Sequence, residues 1–142
     1  MVNRKPIPKK IRQLVHQKYD GHCAYCGKKI AYKDMQVDHV IAYAESIYSG
    51  TPEDRARIQR MIEDGSINSM ENLMPACRKC NFYKSSLTIE EFRTAILQEL
   101  SKSCIKSFQT QLAMQYGILT YHLWDGQFYF EKTNKQNETK HD

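Results

Sequence analysis

The sequence predicts an α+β domain stapled by cysteines, and three observations predict it. Two CxxC pairs, Cys23/Cys26 and Cys77/Cys80, lie far apart along the chain. Short alternating apolar runs, at residues 30–41 and 119–132, read as β-hairpins. Apolar residues at helical spacing recur before and between these runs. With 142 residues the chain is long enough for one domain and short for two.

The cysteine pairs come first because they tie the rest together. Two residues between ligands let both thiolates of a tight turn reach one tetrahedral ion, with Zn–S about 2.3 Å. Two matched knuckles predict one structural zinc held by Cys23, Cys26, Cys77 and Cys80, and Gly27 supplies backbone freedom after the first pair. The other reading of the four is buried or redox-active thiols. Five cysteines suit four ligands plus one better than paired bridges. The fifth, Cys104, falls on a predicted apolar helix face as a core residue.

Residues 9–20 read as an amphipathic helix with Ile11, Leu14, Val15 and Tyr19 on one face, stopping at Gly21. After the first knuckle, Ile30 and Tyr32 suggest a strand, Lys33-Asp34 a turn, and Met35 to Ile41 the return. Residues 42–71 read as an insertion, carrying a helix capped by Thr51 with Pro52 at its first position. The stretch CRKCNFYKSS reads as a short helix. TIEEFRTAILQEL is another, opened by a Thr88/Glu91 capping box, with Phe92, Ile96, Leu97 and Leu100 inward. CIKSFQTQLAMQYG reads as a further helix ending at Gly117. Asp125-Gly126 predicts a C-terminal hairpin, and residues 133–142 a frayed polar tail. The expected organisation is a main domain over 1–103, an extension over 104–132, and that tail.

Pairing the strands back from Lys33-Asp34 sets Asp38 opposite Lys29 and His39 opposite Lys28. Both then return to within roughly 10 Å of Cys26. Asn81 follows Cys80 on the same zinc, so a carboxylate, an imidazole and a carboxamide converge. That set suits hydrolysis assisted by a hard divalent cation such as Mg²⁺, which takes oxygen ligands and keeps several waters. A neighbouring imidazole can take a proton from attacking water. Adjacent strand residues point to opposite faces, so Asp38 and His39 can both serve only if the strand ends or bulges there.

The stretches DGHCAYCGKKI, VDHVIA, ENLMPACRKCNFYKSS and LTIEEF resemble the HNH endonuclease family, the zinc-knuckle branch of the ββα-metal (His-Me finger) nucleases. They cover roughly residues 20–92 apart from the insertion. The resemblance implies a small ββα-metal core and hydrolysis of DNA phosphodiesters. It implies His39 as general base, Asp38 and Asn81 as ligands of a catalytic Mg²⁺ or Mn²⁺, and Asn72 as the residue fixing the loop that orients His39. The last position is Asn rather than His, a variant the family uses. A zinc-ribbon module that binds nucleic acid without cutting it is the rival reading; pure binding has no need of the Asp38/His39/Asn81 set.

Formal charge is +5, unevenly placed. The N-terminal arm carries Arg4, Lys5, Lys9, Lys10 and Arg12 with no acid, and reads either as a phosphate-contacting element or as a solvated tail. Arg78, Lys79 and Lys84 flank the candidate site and read the same two ways, with double-stranded DNA the expected partner. No apolar run is long enough to span a bilayer and the basic N-terminus lacks an apolar stretch of signal-peptide kind, so a cytoplasmic protein is expected.

Overall fold

The structure, a computed structural model, describes residues 5–43 and 51–140. Its α-helices and its two-stranded antiparallel sheet make it α+β. The chain divides into two compact units, Met1–Ser86 with Phe128–Asp142, and Leu87–Gln127. Among the described residues no helix is long and apolar enough to cross a membrane.

The first unit begins with α1 (Lys9–Gln17), ended by Lys18 and the left-handed residues Asp20 and Gly21. Its Val15 is fully buried, and Tyr19 just beyond it nearly so. The cations of α1 are not all free to face solvent. Arg12 donates to the carbonyls of Met35 and Tyr32 and lies over the Tyr32 ring. Lys18 Nζ donates to Met70 O at 2.6 Å and Leu73 O at 2.9 Å, and burial lowers its pKa.

The hairpin expected around Lys33-Asp34 does not form. Tyr32–Asp34 is a 3₁₀ turn, and β1 (Gln36–His39) pairs instead with β2 (Leu73–Ala76). The register sets Asp38 opposite Met74 and His39 opposite Leu73. The physical reason is burial: all four residues of β2 are buried, so LMPA is a better partner for β1 than the half-polar AYK. Pro75 lacks an N–H but uses its carbonyl, which accepts from Ala24 N at 2.8 Å and joins the first knuckle to the sheet. The knuckle itself is the tight reversal, with a His22–Lys29 bridge and Gly27 N donating to Cys23 O.

Between the strands lies α2 (Pro52–Glu63), capped reciprocally by Thr51 and Asp54, with Ile58 buried. The rest of the expected insertion partly falls on residues 44–50, outside the described residues. α3 (Arg78–Lys84) follows β2 directly, its N-cap being Cys77.

In the second unit α4 (Ile89–Thr94) opens on the expected Thr88/Glu91 box and widens into a π-helical stretch over Ala95–Leu100. α5 (Ser101–Lys106) and α6 (Phe108–Gln115) follow, separated at the extended Ser107. Phe92 is buried, whereas Leu97 and Leu100 remain exposed. Cys104 is exposed rather than a core residue.

The C-terminal hairpin is also replaced. Asp125-Gly126 does turn, with Gln127 N bonded to Asp125 Oδ1, but no strand flanks it. The chain enters α7 (Tyr129–Thr139) in the first unit, so the polar tail is helical as far as Thr139. A helix leaves its first N–H groups without internal partners. Here Tyr129 N and Phe130 N donate to the knuckle carbonyls of Tyr25 and Ala24, at 3.1 and 2.8 Å. Those bonds, together with Phe128 and Phe130 packed edge-on against Tyr25, dock α7 on the knuckle and outcompete a hairpin.

This docking makes Gly27 sensitive. Its φ is +75°, and a Cβ there would meet Tyr129 Cδ2 at 2.8 Å. Gly27→Ala is expected to lower stability by about 2 kcal/mol, combining backbone strain with the clash. Urea denaturation of the metal-loaded protein checks it, and an unchanged midpoint would refute the docking.

Candidate metal centre and adjoining cavity

The two knuckles converge. The sulfurs of Cys23, Cys26, Cys77 and Cys80 all lie within 4.8 Å of one another. Cys26 Sγ and Cys77 Sγ are 3.9 Å apart, close to the edge of about 3.8 Å of a ZnS₄ tetrahedron with 2.3 Å bonds. Backbone amides point at the cluster: Cys77 N at Cys23 Sγ (3.4 Å) and Cys80 N at Cys77 Sγ (3.5 Å). Left to themselves the thiols share protons unevenly. Hydrogen bonds with Cys23 and Cys80 push the Cys26 thiol down, while those with Cys23 and Cys26 push Cys80 up. Four soft donors at this spacing could hold an ion such as zinc, which takes all four as thiolates.

Beside the cluster, β1 and α3 bring the sequence-predicted residues to one place. Asp38, His39 and Asn81 line a single cavity of about 300 Å³, together with Val37, Ala42, Tyr43, Ser85 and Ser86. The route differs from the expected one, since β2 and α3 do the work assigned to a local hairpin. β1 ends at His39, which meets the condition that alternation imposed on Asp38 and His39.

Each side chain is held. Asp38 is buried, and its Oδ2 accepts from the Tyr25 hydroxyl and pairs with Lys84 Nζ at 3.1 Å. Tyr25 stays a donor, because burial and then the Asp38 charge push its phenol far above its ordinary range. His39 Nε2 lies 2.8 Å from Asn68 Oδ1, and its ring stands edge-on to Tyr43. Asn81 Nδ2 donates to Gln36 Oε1 at 2.6 Å. Asn72 is buried and bridges two segments: Oδ1 accepts from Ile41 N (2.8 Å), and Nδ2 donates to Ile41 O (3.1 Å) and Ile67 O (2.8 Å).

The basic residues divide. Lys5, Lys9, Lys10, Arg78 and Lys79 are exposed, and Arg4 lies outside the described residues. Arg12 spends its guanidinium on backbone carbonyls. Lys84 corrects the sequence reading most sharply: it is 0% exposed, with its ammonium on Asp38 and on His39 O at 3.0 Å. A group so enclosed cannot reach a phosphate on the surface. Tyr25, Gln36 and Asn68 were missed as site residues; Tyr25 alone had a cue, its place between two ligands.

Fold and site together define a small α+β protein built on a four-cysteine cluster that could hold a metal. Over 70 residues the chain is 29% identical to the CRISPR-associated endonuclease Cas9 of Corynebacterium diphtheriae. The match covers 49% of this chain and 5% of that protein, a weak and partial similarity to a nuclease. No protein-family model and no solved structure matches the chain.

Proposed function

We propose that this chain is a zinc-stapled, metal-dependent endonuclease domain of HNH type that hydrolyses phosphodiester bonds in DNA. The observation that carries the reading is the cavity shared by Asp38, His39 and Asn81 beside the cysteine cluster. The partial similarity to an endonuclease supports it.

The donor set fits a hard divalent cation. Asp38 meets Tyr25 and Lys84 through Oδ2, and Asn81 spends its amide nitrogen on Gln36. Asp38 Oδ1 and Asn81 Oδ1 are therefore the oxygens offered to Mg²⁺ or Mn²⁺. When bound, such an ion supplies charge stabilisation at a non-bridging oxygen and the leaving 3′ oxygen. His39 takes the proton from the attacking water. With Nε2 engaged by Asn68, Nδ1 is the basic atom. Asn72 holds the segment after β1, and so the backbone that carries His39. Water adds to phosphorus, the P–O3′ bond breaks as O3′ takes a proton from solvent water, and the products are 5′-phosphate and 3′-hydroxyl ends. Exposed Lys5, Lys9, Lys10, Arg78 and Lys79 are the cations offered to the phosphates of duplex DNA.

Supercoiled plasmid incubated with the protein and Mg²⁺ or Mn²⁺ is expected to become nicked or linear, and His39→Ala to cut it at least about 10²-fold more slowly. Retarded but uncut plasmid under all divalent conditions would favour the zinc module that binds without cleaving.

A further inference from the structure

We propose that Tyr25 and Lys84 form a two-point clamp on Asp38, one arm from within the first knuckle and one from the helix that Cys77 caps, that presents Asp38 Oδ1 to a divalent cation. The inference rests on the reading of Asp38 as a cation ligand, and it assigns Tyr25 and Lys84 as positioning residues.

Both arms meet the same oxygen. The Tyr25 hydroxyl and the Lys84 ammonium reach Oδ2, so the carboxylate cannot rotate without breaking both contacts. Each arm is anchored by the cluster. Tyr25 lies between Cys23 and Cys26, its ring buried against Phe128 and Phe130 at 5.6 and 6.2 Å, and its carbonyl taken by Tyr129 N. Lys84 ends α3, the helix that Cys77 caps and that also carries Cys80 and Asn81. Its ammonium donates as well to His39 O, so one buried head group fixes the carboxylate of one residue and the backbone of the next. A carboxylate left to rotate would order itself only on meeting a cation, and that ordering would weaken binding.

The arms differ in charge, and this separates their effects. Tyr25 is neutral, so removing its hydroxyl costs order alone. Lys84 also repels a cation at Asp38, so removing its charge gives back in attraction what it loses in order. Its hold on His39 is lost in either case.

The probe is Mn²⁺ binding to the zinc-loaded full chain without DNA, measured by titration calorimetry. Tyr25→Phe is expected to keep one zinc per chain and the wild-type melting temperature within a few degrees, but to bind Mn²⁺ about threefold to tenfold more weakly, the cost of ordering one freed side chain. Lys84→Met is expected to bind Mn²⁺ at least as tightly as wild type, yet to cleave more than tenfold more slowly at saturating Mn²⁺. A purely structural role would move both quantities together. Asp38→Asn separates the layers. If it leaves Mn²⁺ binding intact, the reading of the cavity as a cation site fails. If it abolishes binding while Tyr25→Phe binds as wild type does, the clamp alone is overturned. Unchanged cleavage by Lys84→Met at saturating Mn²⁺ also overturns it.

Discussion

Removing the proposed zinc from the four-cysteine cluster is expected to unfold the unit built from Met1–Ser86 and Phe128–Asp142, not merely to inactivate it. The reason lies in what the cluster connects. The sheet has two strands of four residues each, and such a ribbon is marginal in water without further support. The first knuckle supplies that support, since Ala24 bonds to Pro75 on one side and to Phe130 on the other. The second knuckle aims α3, and with it Lys84 and Asn81. Structural zinc in small domains contributes roughly 10–16 kcal/mol of apparent binding free energy, as much as the whole stability of a typical domain. Cys77→Ser should therefore abolish cooperative unfolding, and a chelator should do the same to wild type, both monitored by circular dichroism with zinc counted by elemental analysis. Cys104→Ser is the control: its thiol is exposed and outside the cluster, so it should leave the transition unchanged. A zinc-free chain that melts like the loaded one would remove the cluster from the account of the fold.

How far the sequence could be read depended on how local the physics was. Helices opened by a cap and carried by periodic apolar residues were readable, as Thr51, Thr88 and α1 show. The cysteine cluster was readable although its halves are distant, because ligand spacing is itself local. Strand pairing was not. The choice of β2 over the nearer segment turns on burial of Leu73–Ala76, which four residues containing a proline do not announce. The Asp-Gly turn was real, but a turn does not dictate whether a strand or a helix comes after it. α7 wins there because its free amides find knuckle carbonyls. Lys84 misled for a related reason. A lysine in a basic stretch is most often solvated, and only the tertiary fold places Asp38 against it. Asp38, His39 and Asn81 still came together, since β2 pairs with β1 and leads directly into α3, which carries Asn81 back beside β1.

The second large effect separates His39 from Asn81. His39→Ala should fold, keep its zinc and bind Mn²⁺ nearly as wild type does, because the imidazole offers the cation nothing that Asp38 and Asn81 do not. Its single-turnover cleavage should fall by about 10²-fold or more, the usual size of a lost general base. Asn81→Ala should also keep its zinc, as Cys77 and Cys80 are untouched. It removes the amide of a residue that lines the cavity, and with it the bond to Gln36, so Mn²⁺ binding should weaken and cleavage should be partly restored by raising Mn²⁺. No such rescue is expected for His39→Ala, since excess cation cannot take the proton from water. Zinc content, Mn²⁺ affinity and single-turnover rate on the same preparations distinguish the two patterns. Damage to the fold near the knuckle would depress all three together. If Asn81→Ala binds Mn²⁺ and cleaves as wild type does, Asn81 is only the residue after Cys80, and the cavity loses a ligand that the proposed hydrolysis requires.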